Sequence, residues 1–509
     1  MAQPKRSKIR KLFIANRGEI SCRIIRAARE MSIPCVAAFS DADAGSLPVR
    51  MADEVAYVGP AEAAKSYLNQ DAIIDAAKRF KCDAIHPGYG FLSENAGFAD
   101  KCRKAGIIFI GPNPENIRDM GDKTVAKEIA KKVGLPVIPG SAGALETLSD
   151  VKKQAKKIGF PIILKAAAGG GGRGMRIVRE ESELAAKFES CVKEAVSAFG
   201  NGAIFLEKYI IQPKHVEVQI FADSHGNVVH LGERDCTIQR RHQKLIEEAP
   251  SASITQELRL ELGENACKLA REAGYLSAGT VEFLLDADMN YYFMEMNTRI
   301  QVEHPVTEMI TGLDLIKLMI EIAEGKPLNV RQEDIRLSGH SIECRINAED
   351  PSLGFIPTPG TVHEIVFPMG PGVRVDTSMF SGAVIPREYD SMVAKVIVHA
   401  ANRPKAIARM RRALLELKIG GVRSTAGFHF AIMNDKDFEA GNYDTGYVDK
   451  ELDRLNQSEF NHPEVAAVAT AIEAYMHTVR RVSKTSLTPR RDNGAWKKSS
   501  RSHRSPQGF

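Results

Sequence analysis

The sequence predicts an α/β chain with a parallel sheet near its N-terminus, antiparallel strands in its middle and a mixed α+β segment toward its end. Three observations carry this. The first hundred residues alternate short apolar runs with helical stretches, the pattern of parallel strands joined by crossover helices. Between about 205 and 303 several runs place polar side chains at every second position, which is strand period. Beyond about 335 turn-rich short strands give way to helical spacing.

In chain order, Leu12-Phe13-Ile14-Ala15 reads as a buried strand, Gly18 opens a helix with apolar spacing at Ile20, Ile24 and Ala27, and Cys35 to Phe39 forms a second strand. Ala84-Ile85 runs into His86-Pro87-Gly88-Tyr89-Gly90, a turn at the strand end where parallel sheets carry their functional loops. Asn16-Arg17-Gly18-Glu19 lacks the spaced glycines of a dinucleotide fingerprint, so no nicotinamide site is expected. After Gly111-Pro112 a helix carries Asp122-Lys123, and Pro161 to Lys165 is a strand leading into Gly169-Gly170-Gly171-Gly172-Arg173-Gly174. Four successive glycines cannot stabilise a packed element. They do let backbone N–H groups close around phosphate oxygens, although the spacing is not that of the Gly-x4-Gly-Lys-Ser/Thr loop. Phe205 to Ile210 and His215 to Ile220 read as further strands, the second half-exposed. Arg240-Arg241-His242-Gln243-Lys244 then sets a basic run between two cleft strands, where it is expected to receive an anion. Phe355 to Gly360 and Tyr389 to Met392 carry turn chemistry, and helical periodicity spans Pro404 to Leu417. The tail from about 480, rich in Ser, Arg and Lys with Trp496, reads as flexible or as a docking segment.

The most informative stretch is Glu295 to His304, with Glu295, Asn297, Arg299, Gln301 and Glu303 alternating with Met296, Ile300 and Val302. Such a polar face without partners would cost several kcal/mol, roughly, if buried, so it is expected to line a ligand-filled cleft. Thr280 to Leu285 and Tyr291 to Met294 flank the turn-rich 286–290 segment and read as a hairpin. Folded symmetrically, that hairpin is expected to set Glu282 opposite Glu295, a like-charge pairing that a divalent cation would relieve. Oxygen donors alone, with Asn297 next on the face, suit Mg²⁺ or Mn²⁺. At about 3.3 Å per residue Glu303 is expected roughly 26 Å along an extended strand from Glu295, serving another part of the cleft unless the chain bends.

A chain of 509 residues allows roughly three domains. No run approaches a transmembrane length, and the apolar run Leu12 to Ala15 is too short for a signal-peptide core; a cytoplasmic, non-membrane protein is expected. The eight cysteines form no Cys-x-x-Cys pair, which argues against zinc and against a disulfide framework. Residues 480–509 carry nine Lys/Arg and one acid, a balance of +8, so the net +5 leaves about −3 for the rest. No nucleic-acid partner is expected from that balance.

From about Lys8 to Leu452 the sequence resembles the biotin carboxylase family of ATP-grasp enzymes. The resemblance rests on Asn16-Arg17-Gly18-Glu19-Ile20, His86 to Asn95, Gly169 to Met175, Arg234-Asp235-Cys236, Gln239 to Lys244, Glu295 to Glu308 and Glu343 to Asp350. It implies a Rossmann-like N-terminal domain (1–115), an ATP-grasp domain (116–330) with a mobile lid at about 138–208, a C-terminal α+β biotin carboxylase domain (335–452) and a basic tail (453–509). The implied reaction is ATP-dependent carboxylation of biotin: bicarbonate attacks the γ-phosphate to give carboxyphosphate, which releases CO₂ beside the biotin ureido nitrogen.

The resemblance also implies roles. Lys123 and Lys165 match phosphate lysines, Gly170, Gly171 and Gly172 the flap, and Glu207, Lys208 and Ile210 adenine contacts. His215 matches a ribose contact; Gln239, His242 and Leu284 join the nucleotide set. Glu282, Glu295 and Asn297 match the metal end, for two divalent ions. Lys244, Arg299, Gln301, Val302 and Glu303 match the bicarbonate site, where a guanidinium can grip two oxygens of a planar anion and Glu303 would be the general base. Arg345 would stabilise enolate-like charge on biotin, and Tyr89 would line the same pocket. No Met-Lys-Met sequence is present, so biotin is expected on a separate carrier protein or biotinylated subunit, with a carboxyltransferase subunit as further partner and a homodimer as the assembly. The acceptor (acetyl-CoA, propionyl-CoA or a 2-oxoacid such as pyruvate) is left open. An ATP-grasp ligase joining a carboxylate to an amine is the rival; it would show no dependence on bicarbonate.

Overall fold

The computed structural model describes residues 8–141, 143–166, 175–199, 202–457, 468 and 470–476. Residues 1–456 form one compact unit and 457–509 a second, in which residues 470–476 are helical. The flap glycines Gly170, Gly171 and Gly172 and most of the basic tail lie outside the described residues.

The N-terminal sheet has five parallel strands in the order Glu54–Gly59, Cys35–Ser40, Leu12–Ile14, Ala84–His86, Ile108–Phe109. Strand order reverses between Leu12–Ile14 and Ala84–His86, and the loops after those strands meet at the crevice where ligands of such sheets bind. Asn16 bridges it, its Nδ2 donating to the carbonyls of Pro87 at 2.6 Å and Tyr89 at 2.8 Å. Gly88 takes φ +62°, and a Cβ there would sit 2.9 Å from Asn16 Nδ2. Backbone and space both require glycine at that position.

A small antiparallel sheet, Met175–Val178, Ile162–Ala166 and Ile204–Lys208, is packed by the helices Leu148–Ile158 and Leu184–Phe199. It has its own apolar core, including Val151, Ala155, Leu164 and Leu206.

An eight-stranded antiparallel sheet organises the rest, in the order Tyr291–Asn297, Ser277–Leu285, Lys214–Ala222, Val228–Arg240, Gln243–Ala249, His340–Asn347, Met392–Ala400, Val373–Thr377. It runs unbroken from the carboxylate hairpin to the strand carrying Arg345. Its far end is covered by the helix Arg403–Glu416, which buries Ala406, Met410 and Ala413, over the segment where the sequence showed helical spacing. All eight cysteines are buried. No helix among the described residues is long and apolar enough to cross a membrane.

Glu248 pins this sheet to the C-terminal helices by accepting from His340 Nε2 at 2.6 Å and Arg403 Nε at 2.7 Å. Burial pushes its carboxyl up, but His340 and Arg403 prevail and hold it at about 2. A carboxyl depressed in the folded state adds stability above its ordinary value of about 4.3 and loses it as pH falls toward the folded value. Glu248→Gln is therefore expected to flatten the fall in melting temperature over that acid window, followed by thermal melts at stepped pH.

Candidate active site

The hairpin is present, and Glu282 is register-paired with Glu295. The route differs from the symmetric fold expected. Leu285 pairs with Tyr291 and Phe283 with Phe293, a register that would set Glu282 against Met294; a bulge between Phe283 and Glu282 shifts the pairing by one. The strand also ends at Asn297, although the polar alternation continues to Glu303. Residues 298–303 turn back instead, anchored where Glu94 accepts from the Thr298 N–H at 3.1 Å and Arg299 Nε at 2.8 Å. Glu303 thus lies beside the hairpin and not far along an extended strand, and the helix His304–Thr311 begins directly after it.

Lys244 shows how close they are. Its Nζ donates to Glu217 at 2.5 Å, Glu303 at 2.6 Å and Glu282 at 3.1 Å. Burial disfavours the ammonium, yet the surrounding carboxylates raise its pKa well above the ordinary range. Glu303 is itself fully buried; burial pushes its carboxyl up, but Lys244 and Arg345 prevail and hold it well below the usual range. Arg345 bridges Glu303 at 2.8 Å and Glu247 at 2.5 Å.

Arg299 points into the same turn, with NH1 donating to Gln301 Oε1 at 2.9 Å and NH2 to Asn297 Oδ1 at 3.4 Å. Gln301 is buried and its Nε2 has no partner. A buried amide donor left open beside the Arg299 guanidinium is a feature that an anion would satisfy. Val302 offers its carbonyl to Lys395 Nζ at 2.7 Å, and the Tyr89 hydroxyl donates to Glu19.

On the nucleotide side, Lys165 and Lys127 both donate to Glu207. Burial raises that carboxyl, but the two lysines outweigh it and hold it at about 2. Lys208 spends its side chain on the carbonyls of Gly159 and Phe160 at 3.0 and 2.9 Å, leaving Ile210 half-buried just beyond the strand end. His215 Nε2 lies 3.0 Å from Glu282 Oε2, and Leu284 is its register partner. Gln239 Nε2 donates to the Cys236 carbonyl at 3.2 Å. Arg241 and His242 form a turn with φ of +47° and +65°, positive at both central residues as tight hairpins require. This turn aims Lys244 inward, while Arg240 lies over the Phe355 ring at 4.5 Å. Of the basic run, only Lys244 joins the carboxylate cluster.

For a metal, two donor groups among the described residues have ligand atoms within 4.8 Å of one another, one of Glu217, Cys236 and Glu303 and one, at the hairpin, of His215, Glu217 and Glu282. Glu295 is outside both, with Lys123 Nζ 3.8 Å away; Asn297 Nδ2 donates to Glu282 at 2.7 Å. Burial and then the Glu282 charge raise the Glu295 carboxyl above its ordinary value. Two facing carboxylates with an amide oxygen nearby fit a hard divalent cation.

Several residues at this site carried no assigned role in the sequence. Glu217 is fully buried, paired in register with Glu282 and with Arg234; its strand, expected to be half-exposed, is buried throughout after Lys214. Arg234, also fully buried, donates to Glu217, Gln219, Thr307 and Thr280. Glu247 and Glu94 hold the two arginines. For Glu217 the signal was the same alternation that marked the hairpin, in His215-Val216-Glu217-Val218-Gln219.

Family models match nearly the whole compact unit: biotin carboxylase, N-terminal domain, over residues 8–117; carbamoyl-phosphate synthase L chain, ATP binding domain, over 122–331; and biotin carboxylase C-terminal domain over 343–450. Biotin carboxylase 1 of Bacillus subtilis is 51% identical over 442 residues, covering 87% of this chain and 98% of that protein. The crystal structure of a Campylobacter jejuni biotin carboxylase–β-γ-ATP complex superposes with a TM-score of 0.84 at 49% identity, over 87% of this chain and 99% of the other. The biotin carboxylase domain dimer of Hydrogenobacter thermophilus 2-oxoglutarate carboxylase, solved with MgADP, ADP and bicarbonate, gives 0.83 at 51% identity, over 87% and 98%. With about half of all positions shared across nearly the full length of these proteins, and the same fold beneath them, the chain belongs to the biotin carboxylase family.

Proposed function

We propose that this chain carboxylates biotin with ATP and bicarbonate, as the biotin carboxylase component of a biotin-dependent carboxylase. The observation that carries it is the Lys244 node. A single ammonium gathers Glu217, the hairpin carboxylate of Glu282 and the buried Glu303, whose second oxygen is held by Arg345.

Bicarbonate would be gripped by Lys244, Arg299 and the open Gln301 amide, with Val302 lining the site. Glu303 takes its proton, and the oxygen so exposed attacks the γ-phosphorus of ATP, giving carboxyphosphate and ADP. Because Glu303 is a weak base while two cations hold it, substrate oxygens must first draw those donors away. Carboxyphosphate then splits into CO₂ and phosphate. The phosphate removes the ureido proton, Arg345 stabilises the resulting oxyanion, and the nitrogen adds to CO₂, with Tyr89 at the pocket wall. Lys123 and Lys165 receive ATP phosphates under the flap, Lys165 leaving Glu207 to do so. Glu207, Lys208, Ile210, His215, Gln239, His242 and Leu284 surround the nucleoside. Divalent cations at Glu282, Glu295 and Asn297 would neutralise phosphate charge. On this reading residues 1–115, 116–330 and 335–452 are the functional blocks, 138–208 is the lid, and the assembly is a homodimer.

Glu295→Gln is expected to raise the Mg²⁺ concentration needed for half-maximal turnover while leaving the bicarbonate KM in place; a titration of rate against Mg²⁺ decides, and an unchanged requirement removes Glu295 from the metal end.

Biotin itself is proposed to arrive on a separate carrier, with a carboxyltransferase subunit as the next partner. A tethered biotin visits at far higher effective concentration than free biotin. The purified chain is expected to give no avidin-reactive band and to carboxylate a biotinylated carrier much faster than equimolar free biotin. Biotin found on a lysine of this chain would reverse that division of labour.

A further inference from the structure

Lys395 belongs to none of the roles above, yet it sits directly behind the active-site turn. It is fully buried on the strand Met392–Ala400, register-paired with Arg345 on one side and Asp376 on the other. Its Nζ donates to the Val302 carbonyl at 2.7 Å and pairs with Glu19 Oε1 at 3.1 Å, with Asp376 Oδ2 at 4.0 Å. Glu19 is the last polar residue of the Asn16-Arg17-Gly18-Glu19 motif, and the same Oε1 accepts from the Tyr89 hydroxyl, while its buried Oε2 has no partner. One ammonium therefore ties together the helix start after the first parallel strand, the loop carrying Tyr89, and the peptide that immediately precedes Glu303. A buried ammonium needs partners, and carboxylates could have supplied all of them. Here the shortest of its contacts goes to the main chain of the turn.

We propose that Lys395, with Glu19, is a positioning pair that holds Val302 and Glu303 and couples them to the pocket wall at Tyr89. This rests on the assignment of Glu303 and Tyr89 made above. A ligand that draws the Tyr89 hydroxyl away from Glu19 shifts how Glu19 holds Lys395, and through the Val302 carbonyl shifts the carboxylate of Glu303. Small displacements of a reacting group are costly, with about 10²-fold lost for a misplacement near 1 Å.

The test uses the full chain, with ATP, bicarbonate and biotin varied in turn. Lys395→Met is expected to lower kcat by about 10²-fold and raise the bicarbonate KM, with the ATP KM unmoved. Glu19→Gln, which keeps shape and removes charge, is expected to raise the bicarbonate KM by about tenfold, and the double variant to lose less than the product of the single losses. A Lys395→Met enzyme with a lowered melting temperature but unchanged kinetic constants has lost only a structural strut, and the proposal falls. If Lys395→Met does not fold, Glu19→Gln decides alone, and an unmoved bicarbonate KM overturns the proposal. A wild-type chain without bicarbonate-dependent turnover overturns the underlying reading; wild-type turnover with normal variants overturns only the positioning pair.

Discussion

Glu303→Gln is expected to cut bicarbonate-dependent turnover by about 10²- to 10⁴-fold, the range of a lost general base, while ATP affinity stays close to that of the wild type. The amide keeps the shape of the carboxylate and can still accept from Lys244 or Arg345, but it cannot take a proton. Lys244 also retains Glu217 and Glu282 as partners, so the cluster is not left with a stranded cation. ATP affinity is expected to survive because Glu303 contacts none of Lys123, Lys165 or Glu207 in the described bonds. Steady-state rates at saturating bicarbonate, beside an equilibrium measurement of nucleotide binding, separate the two effects. Near-normal turnover removes Glu303 from the base role.

Lys244→Met is expected to be worse, because it removes substrate binding and structure together. Glu217, Glu282 and Glu303 are each nine-tenths buried or more and converge on this one ammonium. Removing one partner of a buried ion pair costs about 3–5 kcal/mol, since the remaining charges stay uncompensated. The variant should melt earlier and show no measurable carboxylation. The pH sign follows from the crowding. Losing the cation raises the folded pKa of each of the three carboxyls relative to the wild type, so the variant takes up protons at higher pH than the wild type and recovers stability relative to it on acidification. The gap in melting temperature between variant and wild type should therefore narrow as pH is lowered from about 8 toward about 5, near the ordinary carboxyl range. A gap that stays constant or widens on acidification would show that the three carboxylates do not depend on Lys244.

Two strand-like runs on either side of the turn-rich 286–290 segment located the hairpin. They could not locate the bulge that brings the two carboxylates into register, since one extra residue leaves no mark in the pattern. Polar alternation misled beyond Asn297. Arg299 and Gln301 alternate because they reach Glu94, Asn297 and each other across a turn, and Pro305, sited in the first turn of the following helix, was the available sign that the strand must stop. Glu217, Arg234 and Glu247 stayed unassigned for a different reason. Glu217 sits on a strand whose alternation resembles a half-solvated face, Arg234 and Glu247 on strands with no clear alternation, and only the pairing of strands far apart in sequence turns these side chains inward on one another. The eight-stranded sheet joins segments 277–297 and 340–400, and that long-range pairing, which places Arg345 against Glu303, is invisible to local periodicity. The family resemblance supplied Arg345 where periodicity did not, while the physical partner that fixes it, Glu247, is seen only in the fold.

The central claim is that ATP cleavage here serves to activate bicarbonate for transfer to biotin. Its most direct test is to follow ADP release and label transfer from ¹⁴C-bicarbonate to biotin in one reaction, with bicarbonate and biotin each omitted in turn. The account predicts acid-labile label on biotin in step with ADP release, both abolished without bicarbonate. ADP release that is indifferent to bicarbonate, or that yields an amide from a carboxylate and an amine, would contradict it.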